Sequence, residues 1–508
     1  MLLAIAPSLL ALALVDAINQ GFTTLVQVLE QTLFVSVYGL PLVVIWLMGG
    51  AVFFTLRFGF INLRAFGHGV AVVLGHYDSP DEPGEVSHAQ ALFTALSATV
   101  GLGNIAGVAI AVQWGGPGAV VWMTLAGFLG MSTKFVECTL GQKYRLVDKD
   151  GRTAGGPMYY LSQGLADLGW PTLGRWLAGL FAVCCLLGAL GGANMFQANQ
   201  SFAAVATIAP ALVAYRPWYG VGLALLVALV ILGGIRRIGT VASVTVPVMA
   251  GVYIAGALWI LVSHRADLWP AVQAIAREAV HPQAVEGGAL GVLVQGIRRG
   301  VFSNEAGIGT AAIAHSATRT KEPVREGLVA MLEPFIDTVV ICNLTALVCV
   351  VTGVYQQAGL SGVNLTLAAF GTELPWFPAV LTVAISLFAF STIISWYYYG
   401  VQAWQYLLGS RLTLVYTSLY ISCVFLGVVS SLGAVLTFSD MMMFAMAFPS
   451  VLGGILLSNQ VAQEAQQYWQ RLGIPQPRPI VNLSLQLSRY LSLGSIEVST
   501  QVRDEHLP

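Results

Sequence analysis

Charge is what this chain has least of. Asp, Glu, Lys and Arg make up 9% of its 508 residues, against roughly 25% in a soluble domain. A water-soluble fold of this size could not hide the 56% that is hydrophobic, and the mean hydropathy of +0.76 says the same. The class is a polytopic α-helical membrane protein. Short alternating strands, the mark of a membrane β-barrel, are missing; the apolar runs are long and unbroken. The net charge of −1 carries no signal for nucleic acid or for acidic partners. Cysteine is also scarce. The six, Cys138, Cys184, Cys185, Cys342, Cys349 and Cys423, lie in apolar runs without metal-ligand spacing, so they read as small helix residues rather than disulfides or ligands. No Gly-x-Ser-x-Gly, HExxH or paired catalytic Asp motif falls in a span, which argues against an intramembrane enzyme. "NEAGIG" and "GLGNIAG" lack the Lys-Ser or Lys-Thr of a phosphate loop, and no nucleotide-binding domain is present for an ATP-driven pump. No organic cofactor is expected. The start, "MLLAIAPSLLALALVDA", lacks the basic stretch of a signal peptide. Residues 1–34 are therefore expected to be an amphipathic or interfacial segment.

What is present is length. Eleven spans are expected, near 35–57, 90–113, 116–142, 174–207, 217–234, 240–263, 288–316, 327–353, 377–408, 412–430 and 434–458. Several exceed the roughly 20 residues that cross a bilayer, so tilt or re-entry is expected. Residues 459–508 turn polar and read as a cytoplasmic tail. It opens with the amphipathic "NQVAQEAQQYWQRLG" and continues through an extended "PQPRP". With the 58–89 loop inside, seventeen of the 23 Lys and Arg fall on the cytoplasmic side. Arg216, Arg265 and Arg277 fall outside; Lys134, Arg298 and Arg299 lie within spans. The bias predicts the C-terminus inside and the N-terminus outside.

Two spans are interrupted. The second holds "TVGLGN" (Thr99–Asn104). The seventh, five spans later, holds "RRGVFSNEAGIGTA" (Arg298–Ala311). Glycine breaks helices because it has no Cβ and the greatest backbone freedom. Unwound backbone inside a bilayer survives only where protein, water or a ligand satisfies it. Paired breaks in matching positions of two five-span halves are the sequence pointer to an inverted-repeat transporter. The positive end of one half-helix can face a carboxylate, and the free carbonyls of the other can hold Na⁺ or an ammonium. A zwitterionic amino acid with a cation suits such a site. A bare packing role for glycine also fits "GNIAG" (103–107), as a small-xxx-small contact. An ion channel, the remaining class, would favour a repeated pore motif, and one pair of breaks does not supply it.

At these residues a resemblance appears. "ALSATVGLGNIAGVAIAVQWGGPGAVVWM" (95–123), "GGPMYYL" (155–161), "RGVFSNEAGIGTAAIAHSA" (299–317) and "FSTIISWYYYG" (390–400) resemble the alanine-or-glycine:cation symporter family. The match runs in order over spans two to nine, and hydropathy continues it to about residue 458. It implies an all-α fold like the bacterial leucine transporter, two inverted five-helix repeats (90–263 and 288–458) behind one additional helix (35–57). It implies Na⁺-coupled, with H⁺ as the alternative, uptake of alanine or glycine across a prokaryotic plasma membrane.

The resemblance also suggests roles. Thr99 and the backbone N–H groups of Gly101, Gly103 and Asn104 are candidates at the substrate carboxylate, with Asn104 holding the unwound turn together. Gln197 matches a family pocket glutamine. Phe302 is expected to close over the substrate, Ser303 to meet the ammonium or ion, and Gly307, with Gly309, to leave room for a small side chain. Trp396 is expected to limit substrate size. For Na⁺ the candidates are the carbonyls of Ser97, Val100 and Ala389 and the Thr392 hydroxyl, with Ser391 as the alternative. Glu305 reads as a structural lock, or else a proton carrier, stabilised by Arg298, Arg299 or a polar network. Tyr397, Tyr398 and Tyr399 are expected in the inner aromatic belt, and His315 at an interface. Lys134 could pair with Glu137, and Glu333 and Asp337 present two acids on one face. The chain departs from the family at Leu102 (commonly Thr), at Val401 (commonly an acid) and in "GIGTAAIAH" (commonly ending Ser-Ala-Pro). These changes bear on the substrate and on Na⁺ against H⁺.

Overall fold

The computed structural model describes residues 35–37, 40–79, 81–280, 288–360, 362–430 and 433–473. The expected segment 1–34 and the extended stretch of the tail lie outside the described residues. The molecule is helical throughout, with two two-residue hairpins, Ser36–Val37 with Leu40–Pro41 and Leu146–Val147 with Thr153–Ala154.

The first of the long helices described, α1 (Leu42–Arg57), packs against α4 (Ala119–Lys143) and α15 (Gly433–Leu456). The first interrupted span starts at α2 (His88–Thr99). Ser87 accepts from the Gln90 N–H and Gln90 Oε1 from the Ser87 N–H, a complete capping box that fixes the start. The helix ends at Val100, whose ψ of 95° is extended. It resumes as a π-helical turn (Gly103–Gly107) and α3 (Val108–Gly115), bent by 51°. After α4 come α5 (Pro171–Leu190), a further π turn (Gly191–Phe196) and α6 (Gln197–Ile208), one apolar run of 38 residues. α7 (Arg216–Ile231) and α8 (Gly234–Ser263) follow.

Another interruption comes next. α9 (Gly288–Asn304) stops at Glu305, and α10 (Ala311–His315) follows after Gly307 and Gly309, both at φ 92°. α11 (Pro323–Ala330) leads through a π turn (Phe335–Cys342) into α12 (Asn343–Val351). α13 (Phe377–Leu408), α14 (Thr413–Val429) and α15 follow. α16 (Ser458–Arg471) is amphipathic and buries Val461, Tyr468 and Trp469 against the bundle. Helix thus occupies each expected span. Among the described residues seven helices are long and apolar enough to cross a membrane, or up to nine if each bent pair is one span.

Three of the expected placements differ. Tyr397, Tyr398 and Tyr399 are buried; Tyr397 stacks on Tyr416 and bonds Thr417 Oγ1 at 2.7 Å, so these rings serve the helix core and not a lipid-facing belt. His315 is buried too, with Nδ1 2.6 Å from Glu326 Oε2; Glu326 Oε1 also meets His88. Lys134 reaches Glu333 Oε1 at 3.0 Å instead of Glu137, which accepts from Ser450 Oγ at 2.9 Å. A lysine buried in an apolar interior needs an acid across a helix interface, and Glu333 is the one the packing delivers.

Candidate substrate and cation site

The two interruptions face each other. A Cβ on Gly103 would sit 3.5 Å from Ser303 Cα and 3.6 Å from Phe302 Cδ1, so the two breaks are in van der Waals range. The turn at 100–104 is held from inside: Asn104 Oδ1 accepts the Gly101 N–H at 2.8 Å. Asn104 Nδ2 donates to Asp337 Oδ1 at 2.6 Å. Asp337 Oδ2 accepts from Ser303 Oγ at 2.8 Å and from Thr338 Oγ1 at 2.7 Å. One carboxylate therefore ties both breaks together, and it sits in the π turn after α11, where the extra residue per turn redirects side chains. This answers the two-acid pattern of the sequence. Glu333 takes the lysine, and Asp337 takes neutral donors.

A small cavity of about 20 Å³, room for roughly one water, lies where the breaks meet. Its lining includes the expected Thr99, Gly101, Gly103, Gln197, Phe302, Thr392 and Trp396, together with Ala98, Leu102, Gly192, Ala193, Glu305 and Met443. Gly101 is dictated by closeness, since a Cβ there would lie 2.8 Å from Thr392 Oγ1. Gln197 donates weakly to Gly192 O at 3.4 Å, and its buried Oε1 has no hydrogen-bond partner among the described residues. An acceptor left bare at a cavity wall costs free energy unless a donor fills it.

Other expected residues lie behind the wall. Asn104 and Ser303 face Asp337 and support the breaks from the far side. Gly307 abuts α1, where a Cβ would come 2.5 Å from Leu47 Cδ2, and it is absent from the lining. Its φ of 92° shows a turn requirement, not room for a substrate. The Gly101 amide is committed to Asn104, and the Asn104 amide bonds Gly101 O at 3.2 Å. That leaves Leu102 and Gly103 as the amides of this turn that can face a ligand.

Beside the cavity, α2 and α13 share an oxygen-rich seam. Ser97 O accepts from Thr392 Oγ1 at 3.1 Å and from Ser391 Oγ at 3.4 Å. Ser97 Oγ donates to Ser391 O at 2.8 Å and accepts from Ser395 Oγ at 2.9 Å. Ala389 and Val100 are buried in the apolar cluster next to this seam. Such a set of carbonyls and hydroxyls, without fixed charge, suits a hard monovalent cation. No group of three or more His, Cys, Asp or Glu able to hold a metal occurs among the described residues.

Ala98, Leu102, Gly192, Ala193, Glu305 and Met443 are the lining residues that sequence reasoning gave no place at the substrate. Glu305 was visible as a buried acid, but its partners were not. Met443 had no signal at all, because it comes from α15, far along the chain from either break.

Residues 19–476 match the model of the sodium:alanine symporter family. The chain is 41% identical, over 86% of its length and 95% of the relative's, to an uncharacterized transporter of Haemophilus influenzae. It is 39% identical to the sodium/alanine symporter AgcS of Methanococcus maripaludis (84% and 94% covered). It is 34% identical to the amino-acid carrier protein AlsT of Bacillus subtilis (86% and 93%). Among solved structures it resembles MhsT in complex with L-phenylalanine, at a TM-score of 0.49 and 15% identity over 76% of this chain and 93% of that one.

Proposed function

This chain belongs to the sodium:alanine symporter family, and from that premise we propose that it carries alanine, and glycine, into the cell with Na⁺ by alternating access. The observation that carries the reading is the cavity at the meeting of two broken helices, with a bare buried acceptor on its wall. In this reading the helices form two inverted five-helix repeats behind α1, with the C-terminus in the cytoplasm.

The substrate carboxylate sits against the Leu102 and Gly103 amides, where the positive end of the resumed helix favours an anion. The ammonium group donates to Gln197 Oε1. The side chain points toward Gly192, Ala193, Met443 and Trp396, which line the same cavity. Na⁺ takes the carbonyls of Ser97, Val100 and Ala389 with the Thr392 hydroxyl, and Ser391 supports the seam. Because these ligands come from α2 and α13 together, a bound ion stabilises the helix contact that forms the cavity wall. Ion binding and substrate binding then favour the same conformation, which is how one gradient drives the other.

In this reading release to the cytoplasm runs toward a second cavity. Trp396 lines the substrate cavity, while Tyr397 and Tyr398, one and two residues on, line a larger cavity with Glu85, Arg152, Thr153 and Arg236. By the Lys and Arg bias that second cavity is on the inner side.

The test is uptake of labelled L-alanine into proteoliposomes under an inward Na⁺ gradient, with choline replacing Na⁺ as the comparison. Na⁺-dependent accumulation above equilibrium is expected. Equal uptake in both media overturns Na⁺ coupling and favours H⁺, the second reading, which the carboxylate of Glu305 on the cavity wall supports. Uptake also tests the ion seam. Thr392→Ala removes one oxygen ligand and is expected to raise the Na⁺ half-saturation about tenfold, roughly 1.4 kcal/mol, with little change in maximal rate. An unchanged Na⁺ dependence removes Thr392 from the site.

A further inference from the structure

We propose that Glu305 is a positioning residue: it holds the Trp396 indole in place as the size-limiting wall of the cavity, and thereby sets which amino acids are accepted. The proposal rests on the symporter reading for the identity of the substrate, and on the following geometry for the wall itself.

Among the described residues only Phe60 and Glu305 are non-glycine residues with positive φ, and Glu305 is at 53°. A side chain other than Gly, Asn or Asp is disfavoured there. The neighbouring turn positions, 307 and 309, are glycines and meet the same demand without cost. A glutamate kept in a strained backbone position points to work done by its carboxylate.

That carboxylate is 2% exposed and lines the cavity. Both of its oxygens are engaged across the break. Oε2 accepts from Thr310 Oγ1 at 2.5 Å, and Oε1 accepts from Trp396 Nε1 at 3.1 Å. The basic group in electrostatic reach, Lys134, bonds Glu333 at 3.0 Å, so the donors touching Glu305 are neutral and directional. Trp396 is 1% exposed and has one N–H to place. Turning its ring out of the wall leaves that N–H and a carboxylate oxygen buried without partners. Tyr399 meets the indole edge-on, with centroids 5.4 Å apart at 66°. The indole is thus fixed by a hydrogen bond at one point and a ring contact at another.

The placement also explains why the wall belongs to the transport cycle. Thr392 and Trp396 are four residues apart on α13 and share a helix face. The cation seam and the wall move as one piece, while Glu305 anchors that piece to the broken helix opposite. A hydrogen-bonded rigid wall rejects a larger side chain by forcing a choice between a clash and a broken bond.

The test measures selectivity, not only rate. Labelled alanine uptake is competed with glycine, serine, valine and leucine in the wild type, Glu305→Gln, Glu305→Ala, Trp396→Phe and the double variant Glu305→Ala/Trp396→Phe. Glu305→Ala is expected to lower the discrimination between alanine and valine or leucine about tenfold, through a lower half-saturation for the larger competitor. Its Na⁺ half-saturation stays within about twofold of wild type. Glu305→Gln keeps an acceptor for the indole and retains the wild-type selectivity and pH profile. The double variant shows no more loss than the larger single effect, because both changes cut the same bond.

The proposal is overturned if Glu305→Ala leaves the selectivity ratio unchanged, if Glu305→Gln loses it as Glu305→Ala does, or if the two effects add. Should Glu305→Ala not fold, Trp396→Phe and Glu305→Gln decide alone, with lost and retained selectivity respectively. If wild-type protein takes up no alanine with Na⁺, it is the symporter reading that fails. The wall is then tested by amino-acid protection against heat over the same panel, with the same expected ordering of variants and the same overturning results.

Discussion

Asn104→Leu is expected to lower alanine uptake at subsaturating substrate about a hundredfold while leaving the protein folded. Asn104 gives its oxygen to the Gly101 N–H at 2.8 Å and its nitrogen to Asp337 at 2.6 Å. Leucine keeps the volume and offers neither. The Gly101 amide then lies buried without an acceptor, at about 1–3 kcal/mol, and Asp337 loses a hydrogen bond to a charged group, about 1.5–3 kcal/mol. Part of this is recovered by rearrangement, so about 3 kcal/mol against the ordered turn is a fair value. When a binding-competent conformer becomes a minor one, apparent affinity falls by its population, and 3 kcal/mol is about two orders of magnitude. Asn104→Asp keeps the acceptor for Gly101 but sets a second carboxylate against Asp337, and it is expected to be as poor. The exchange Asn104→Asp with Asp337→Asn restores one donor and one acceptor across the same gap. It is expected to recover at least a tenth of wild-type uptake at subsaturating alanine. Recovery by the exchange, measured in the proteoliposome assay, separates a hydrogen-bond tie from a general loss of packing. Full activity in Asn104→Leu removes the tie from the transport cycle.

The pair behind this prediction shows what a sequence makes legible. The breaks themselves were readable, because "GLGN" and "NEAGIG" combine glycines with small polar residues inside apolar runs, and local backbone freedom is a local property. So was the one-face placement of Ala389, Thr392 and Trp396, since helical spacing fixes it. The bond from Asn104 to Asp337 spans 233 residues. Nothing near either residue announces the other. The same holds for Lys134 and Glu333, 199 residues apart. Sequence offered Glu137 as the partner only because it is close along the chain. Gly307 failed for a subtler reason. A glycine can mean room for a ligand or a turn at positive φ, and composition alone does not tell these apart; its φ of 92° and its approach to Leu47 do. The three tyrosines at 397–399 looked like a belt because aromatic clusters near span ends usually are one. Here α13 is enclosed by α5, α6 and α8, so even its polar rings are internal.

Lys134→Met is expected to cost about 3–5 kcal/mol of stability, the largest single destabilisation anticipated in this protein, and Lys134→Met with Glu333→Leu to recover most of it. Lys134 and Glu333 are both fully buried, and Nζ lies 3.0 Å from Oε1. Withdrawing two ions from water is expensive, and their attraction roughly repays it, so the pair adds little net stability. Removing one partner is different, because the other charge stays buried with nothing to compensate it. Here the burden is heavier, since Lys134 also lies in electrostatic reach of Glu137 and Glu305. Three buried acids share one ammonium. Without it, Glu333 loses its contact and Glu305, on the cavity wall, loses the positive charge behind it. The single variant should therefore show a clearly lower midpoint for heat-induced loss of monodispersity in detergent. The double variant removes the orphaned acid and fills its space with an apolar side chain of similar size, which should return the midpoint most of the way. Transport need not follow stability. If the ammonium serves only to neutralise Glu333, the double variant regains alanine uptake with its stability. If it also sustains the Glu305 carboxylate, the double variant is stable but regains alanine uptake only in part, with selectivity retained as in Glu305→Gln because a neutral Glu305 still accepts from the indole. A single variant as stable as wild type would mean that water or protonation satisfies Glu333 without the lysine, and the pair would then have no structural role.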